Sequence, residues 1–342
     1  MFTRILVPLD GSSLAEGAIP HAELFARIFG ARISLLQVLE LAIDRESTKA
    51  VDPLNWQIRK AEADMYLKGI AERIRSNLGE NPLAPEEEGA SRVNYFIREG
   101  KAAENIVDFA HSENIDLLII STHGSGGLSR WSISSVTQKV INMIYLPVLI
   151  VRSYERANTM DVIDNYPRIL LPIDCSRRAE CSITAAVELA RGAMPAGKPG
   201  ESVPGKSTLV LTAVRRPPEI PIPEPFPEGI TAKLEELSEV SRLAVAKYLE
   251  EMKERLPVEA ETCVVEGPSV ITMIQDLVEQ QNIDLVVLCA HGYSGKGTWP
   301  YGTVSRNYIE HGEKPVLVIQ DLPLSQVKQT AAEIAATKAG RR

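Results

Sequence analysis

Short apolar runs alternate with longer stretches of mixed polarity along the whole chain. Near the amino terminus, Arg4 to Leu9 and Ile33 to Val38 are β-branched or Leu-rich, too brief for helices and apolar enough for strands buried on both faces. Between them, Ser13 to Phe29 sets Leu14, Ala18, Ala22, Phe25 and Ala26 at helical spacing behind a serine that can cap, which predicts a crossover helix. A long amphipathic stretch from Asp52 to Leu78 predicts another. Further strands are expected near Val93 to Ile97, Leu117 to Ile120 and Pro147 to Val151, with helices over Ala102 to Ser112 and Ile133 to Tyr145. Strands and helices in strict alternation imply a parallel, doubly wound sheet with right-handed crossovers.

The whole pattern then repeats. Arg4-Ile-Leu-Val-Pro-Leu-Asp10 returns 164 residues on as Arg168-Ile-Leu-Leu-Pro-Ile-Asp174, and Ser12, Ala15, Glu16, Ile19, Ala22 and Ala26 recur at the same offset. A second block, Asn114-Ile-Asp-Leu117 through His123-Gly124, recurs 168 residues on as Asn282-Ile-Asp-Leu285 through His291-Gly292, and carries Trp131 onto Trp299. Strands are therefore expected at Arg168–Ile173, Leu209–Val214, Glu261–Val265, Leu285–Leu288 and Val316–Gln320. The fold expected is α/β: two tandem doubly wound domains, each a five-stranded parallel sheet of order 3-2-1-4-5 flanked by helices. The first domain is placed at 1–153 and the second at 167–321, with a linker at 154–166 and a tail at 322–342. The second copy carries its own insertions, a Pro/Gly-rich loop from Met194 to Lys206 and a segment from Arg215 to Gly229 that holds six prolines and reads as an extended flap.

Composition narrows the class of partner. With 37 basic against 45 acidic residues the formal net charge is −8, and no long basic stripe is present before the short tail, so a general affinity for nucleic acid or anionic lipid is not expected. Asp10 falls where a secretory leader would continue its apolar core, and no apolar run approaches the ~18–20 residues of a membrane span, so the chain reads as cytoplasmic. Four cysteines (Cys175, Cys181, Cys263, Cys289), none in a C-x-x-C pair, suit a reducing compartment.

In an open parallel sheet ligands bind at the carboxyl ends of the strands where the strand order reverses. Asp10 and Asp174 follow strand one, Val38 and Val214 end strand two, and the glycine-containing loops Ser121 to Arg130 and Cys289 to Thr298 follow strand four and lead towards a helix. Glycines let backbone N–H groups approach an anion, and a helix amino terminus adds the positive end of its dipole. Neither Asp has a second acid or a metal-spaced partner, so ribose binding or helix capping is expected rather than general-base work. His123 and His291 read as loop-orienting residues, and Ser135 and Thr303 are not read as nucleophiles. In the second copy Cys175 and Cys289, at adjacent strand ends with His291 beyond, form a candidate soft-metal or oxidant-sensing cluster, set against a reading as small buried side chains. Trp131 and Trp299 are expected at a domain or subunit contact.

Taken together, the Val-Pro-Leu-Asp strand, the Thr/Ala-His-Gly loop and the closing Pro-Val-Leu strand resemble the universal stress proteins in their tandem form, over nearly all of residues 3–152 and 167–320. The nucleotide-binding members of that family carry a loop G-x2-G-x9-G-[S/T] whose backbone and hydroxyl hold ATP phosphates, while the first-strand Asp and second-strand Val contact ribose and adenine. The resemblance places this loop on Ser121, Gly124, Ser134 and Ser135 in the first copy, where two of three glycines are serine. In the second it falls on Cys289, Gly292, Gly302 and Thr303, where one is replaced. With their neighbours Pro8, Asp10, Val38 and Val136, and Pro172, Asp174, Val214 and Val304, these are the candidate binding residues for ATP or another adenine nucleotide. The resemblance also implies pairing of the two domains through their last strands, a possible homodimer, and action in stress response with little or no turnover. Two rivals stand beside it: a nucleotide-free interaction scaffold, which the replaced glycines support, and an ATP-using transferase or ligase, which lacks a convincing catalytic pair.

Overall fold

In the computed structural model of the chain each apolar run becomes a strand. Residues 1–40, 53–80, 91–123, 133–153, 162–192, 207–217, 229–293 and 300–321 are described. The predicted proline flap and Pro/Gly loop for the most part, Trp131, Trp299, Gly124 and the tail lie outside them. The chain divides into two compact units, one chiefly Met1–Asp164 and the other Asn165–Gly297 with Tyr301–Asp321.

The first unit runs β1 (Arg4–Leu9), α1 (Ser13–Glu16), α2 (Ile19–Phe29), β2 (Arg32–Leu39), α3 (Pro53–Asn77), β3 (Val93–Glu99), α4 (Ala102–Ser112), β4 (Leu117–Ser121), α5 (Ser135–Met143) and β5 (Val148–Val151). All strand pairs are parallel, in the order β3-β2-β1-β4-β5. Leu6, Val7, Ile33, Leu35, Ile119 and Leu149 are wholly buried, as strands covered on both faces require. The single helix expected over Ser13 to Phe29 is two. Pro20, which has no N–H to donate back to α1, starts α2 afresh, and a Cβ on Gly17 between them would stand 2.6 Å from the Ser153 hydroxyl, so a larger residue there must displace that side chain.

The second unit repeats the order with β6 (Arg168–Pro172), a 3-10 turn (Ala179–Ser182), α6 (Ile183–Arg191), β7 (Thr208–Arg215), α7 (Ile230–Arg255), β8 (Ala260–Glu266), α8 (Val270–Gln280), β9 (Leu285–Cys289), α9 (Thr303–His311) and β10 (Val316–Ile319). Its strands are parallel in the order β8-β7-β6-β9-β10.

The repeated Asn-Ile-Asp block has a structural reason in both units. Asn114 and Asn282 take left-handed φ of 51° and 50° just beyond α4 and α8, a conformation asparagine tolerates. Ile115 and Ile283 then plug the core, and the carboxylates of Asp116 and Asp284 accept the first N–H groups of β1 and β6, Arg4 N at 2.9 Å and Arg168 N at 2.9 Å. A second tie also recurs: Tyr66 of α3 donates to Glu16 at 3.2 Å, and Tyr248 of α7 to Glu180 at 2.8 Å.

Candidate functional site

The strand order of the first unit reverses between β1 and β4, and the chain leaving each strand end is held by short-range bonds. Asp10 Oδ1 accepts from the N–H of Ser12 at 3.0 Å and from its hydroxyl at 2.6 Å, while Ser12 caps α1 by accepting Ala15 N at 3.1 Å. Gly11 between them has φ +82°, where a side chain would be strained. Beyond β4, the Ser121 hydroxyl donates to the His123 carbonyl at 2.9 Å, and His123 Nδ1 meets the Thr122 hydroxyl at 2.9 Å. The chain returns at Ser134, whose N–H donates to the Thr122 carbonyl at 2.7 Å and whose hydroxyl accepts Thr137 N at 3.1 Å. Thr137 in turn donates its hydroxyl to the Ser121 carbonyl at 3.0 Å, which locks the start of α5 against the end of β4.

These elements enclose a cavity of about 450 Å³, within the range of small-molecule sites. Seven of the residues singled out in the first copy line it: Pro8, Asp10, Val38, Ser121, Ser134, Ser135 and Val136. Sequence reasoning missed Leu36, Ala102 and Ile106, which also line it. Leu36 sits one side-chain repeat before Val38 on the same face of β2, so strand periodicity was a usable signal. Ala102 and Ile106 come from the first turns of α4, which follows β3. No strand-end argument reaches them. Ser134 does not merely replace a glycine, because its hydroxyl serves as the cap of α5.

In the second unit Pro172 ends β6 with Asp174 just past it, Val214 stands near the end of β7, Cys289 ends β9, and Thr303 and Val304 open α9 behind Gly302. Asp174 accepts Ser176 N at 3.0 Å on one oxygen and Tyr293 N at 2.5 Å on the other. Gly292 is required by that second contact, since a Cβ on it would lie 2.2 Å from Asp174 Oδ2. Gly302 donates to the Ala290 carbonyl at 2.7 Å, as Ser134 does to Thr122, but offers no side-chain cap. Ser305 donates to the Cys289 carbonyl at 2.6 Å, in the place of Thr137. Two differences mark this half. Thr212, paired with Pro172 as Leu36 is with Pro8, is fully buried and its hydroxyl has no hydrogen-bond partner among the described residues. His291 Nδ1 lies 2.7 Å from Asp321, whose other oxygen is 2.7 Å from Arg178. Burial pushes the Asp321 carboxyl up, but the bonds and charges of His291 and Arg178 outweigh it and hold the group below its ordinary value.

The Cys175–Cys289 pair is neither the candidate cluster nor two buried side chains. β6 and β9 are neighbours, yet Cys175 lies beyond the strand in a left-handed turn (φ 60°) and is exposed, while the 3-10 turn brings Cys181 over the end of β9 with its Sγ 3.2 Å from that of Cys289. Among the described residues no group of three or more ligating side chains could hold a metal ion.

The universal stress protein family profile matches the chain twice, over residues 1–152 and 165–320. The chain belongs to the universal stress protein family. One relative, universal stress protein MJ0577 of Methanocaldococcus jannaschii, is 30% identical over 160 residues, 44% of this chain and 96% of its own length. A universal stress protein of Mycolicibacterium smegmatis is 23% identical over 317 residues, 92% of this chain and 96% of that protein. The crystal structure of a universal stress protein from Archaeoglobus fulgidus has the same fold at 18% identity, with a TM-score of 0.59 over 93% of this chain and 98% of that one. This chain is thus a tandem universal stress protein, and no helix among its described residues is long and apolar enough to cross a membrane.

Proposed function

We propose that this universal stress protein binds ATP or another adenine nucleotide in the strand-end crevice of its first half and acts in stress response or signalling through occupancy rather than turnover. The observation that carries the reading is the 450 Å³ cavity lined by seven of the eight first-half residues that the strand-end position and the family resemblance point to. Its wall is apolar at Leu36, Val38 and Ile106, suited to a base, and polar at Asp10, Ser121, Ser134 and Ser135. The first N–H groups of α5 supply the positive dipole end that a phosphate favours. Asp10, already oriented by Ser12, is an acceptor suited to a ribose hydroxyl. The second half is a further candidate through Asp174, Val214, Gly292, Gly302 and Thr303, where the bare start of α9 suits phosphate and the buried Thr212 hydroxyl suits a polar edge of a base. The interaction-scaffold reading draws on α7, where Leu237, Val240 and Leu243 are each more than half exposed at a spacing of three residues. Chromatography of the supernatant from the denatured, freshly purified protein separates the two. Release of an adenine nucleotide, or saturable ATP binding by the emptied protein, is expected; a nucleotide-free protein with no ATP affinity supports the scaffold.

A further inference from the structure

Cys181 and Cys289 are separated by 108 residues, yet their Sγ atoms lie 3.2 Å apart in the second half. Cys289, buried at the end of β9, also has its Sγ 3.2 Å from the Arg178 carbonyl, while Cys181 in the 3-10 turn is half-exposed. The first half holds Gly17 and Ser121 at the equivalent places, so the dithiol belongs to the second half alone. It also stands apart from the crevice geometry that the two halves share, which uses the Cys289 carbonyl and not its thiol. We propose that Cys181 and Cys289 form a redox-active dithiol that a hydroperoxide closes to an intramolecular disulfide.

The division of labour follows from exposure and hydrogen bonding. Cys181 is the half-exposed member of the pair and Cys289 the buried one, so a hydroperoxide reaches Cys181 first. The contact with Cys289, with the Arg178 guanidinium helping, holds the Cys181 thiol below its ordinary value against burial and the Asp321 charge, while the same contact and burial push Cys289 up. Cys181 is therefore the attacking thiolate. Its sulfur attacks one peroxide oxygen, the O–O bond breaks, and the alkoxide leaves as the alcohol with the proton that Cys181 lost, giving a sulfenic acid on Cys181. The Cys289 sulfur then attacks the Cys181 sulfur, the S–O bond breaks, and hydroxide departs as water with the Cys289 proton. Two electrons from the dithiol have reduced one O–O bond, and a dithiol reductant reverses the change. The new bond ties the 3-10 turn to the end of β9.

The test is native treatment of the intact protein with equimolar hydrogen peroxide, alkylation of remaining thiols and peptide mapping. A Cys181–Cys289 linked peptide pair two hydrogens lighter than the free peptides is expected, lost in Cys181→Ser and in Cys289→Ser, restored to thiols by a dithiol reductant, and retained in a Cys175→Ser/Cys263→Ser protein. Recovery of both cysteines as unlinked alkylated or over-oxidised peptides, or a bridge to Cys175 or to a second chain instead, overturns the proposal.

Discussion

His21 sits on α2 and is only 8% exposed, and burial lowers its imidazole to about pH 4. The folded state therefore holds it neutral while the unfolded chain takes up a proton below the ordinary value of ~6.5. Because the unfolded state binds more protons, stability falls as the pH drops from ~6.5 towards 4, by about 1.4 kcal/mol for each pH unit at this one residue. His21→Gln is expected to flatten that slope, read as urea midpoints between pH 7 and 4.5; an unchanged slope contradicts the assignment. Asp321 acts at lower pH. Its depressed value means its contribution is complete above the ordinary carboxyl value of ~3.9 and is lost as pH falls through the folded one. Asp321→Ala removes the carboxylate that His291 and Arg178 share, at a cost of about 1.5–3 kcal/mol at neutral pH, and equilibrium unfolding should show that loss.

Among elements, the two strand-four loops make the sharpest comparison. Gly292→Ala must displace the Asp174 carboxylate and break its bond to Tyr293 N, so about 1–3 kcal/mol of destabilisation is expected. In an Asp174→Ala background the same change should cost much less, and additive effects in that double-mutant cycle argue against the contact. The strands were legible from sequence because buried parallel strands are short and nearly all apolar: Leu117 to Ile120 and Leu285 to Leu288 need no context to be read. The break between α1 and α2 had a signal in the sequence, Pro20 inside the helical pattern, which was outweighed by Leu14, Ala18 and Ala22 keeping helical spacing across it. Cys181 was missed for a different reason. Attention to strand ends selects Cys175, whereas a left-handed turn at that residue and the 3-10 turn after it decide which thiol reaches Cys289. Candidate site residues on strands and at the start of α5 were readable from the repeat, but the contribution of α4 depends on crossover packing that periodicity does not encode.

At the scale of the molecule, one fold occurs twice with different chemistry at the same strand ends. The first half has serine hydroxyls and a serine helix cap, while the second has thiols, a bare glycine cap and a histidine–aspartate–arginine network. With a net charge of −8, attraction for an anionic nucleotide has to come from local donors rather than the overall field. The exposed Ser135 at the first position of α5 isolates that local term. A carboxylate there stabilises the helix by about 0.3–1 kcal/mol, yet repels a phosphate, so loss of binding cannot be blamed on loss of folding. The deciding measurement is calorimetric titration of the nucleotide-free protein with ATP, wild type beside Ser135→Glu. Saturable binding by the wild type at the first-half site, weakened at least about tenfold (~1.4 kcal/mol) in a variant of equal or higher melting temperature, is the result the account predicts. Identical titrations for the two proteins, or no heat from either, would contradict it.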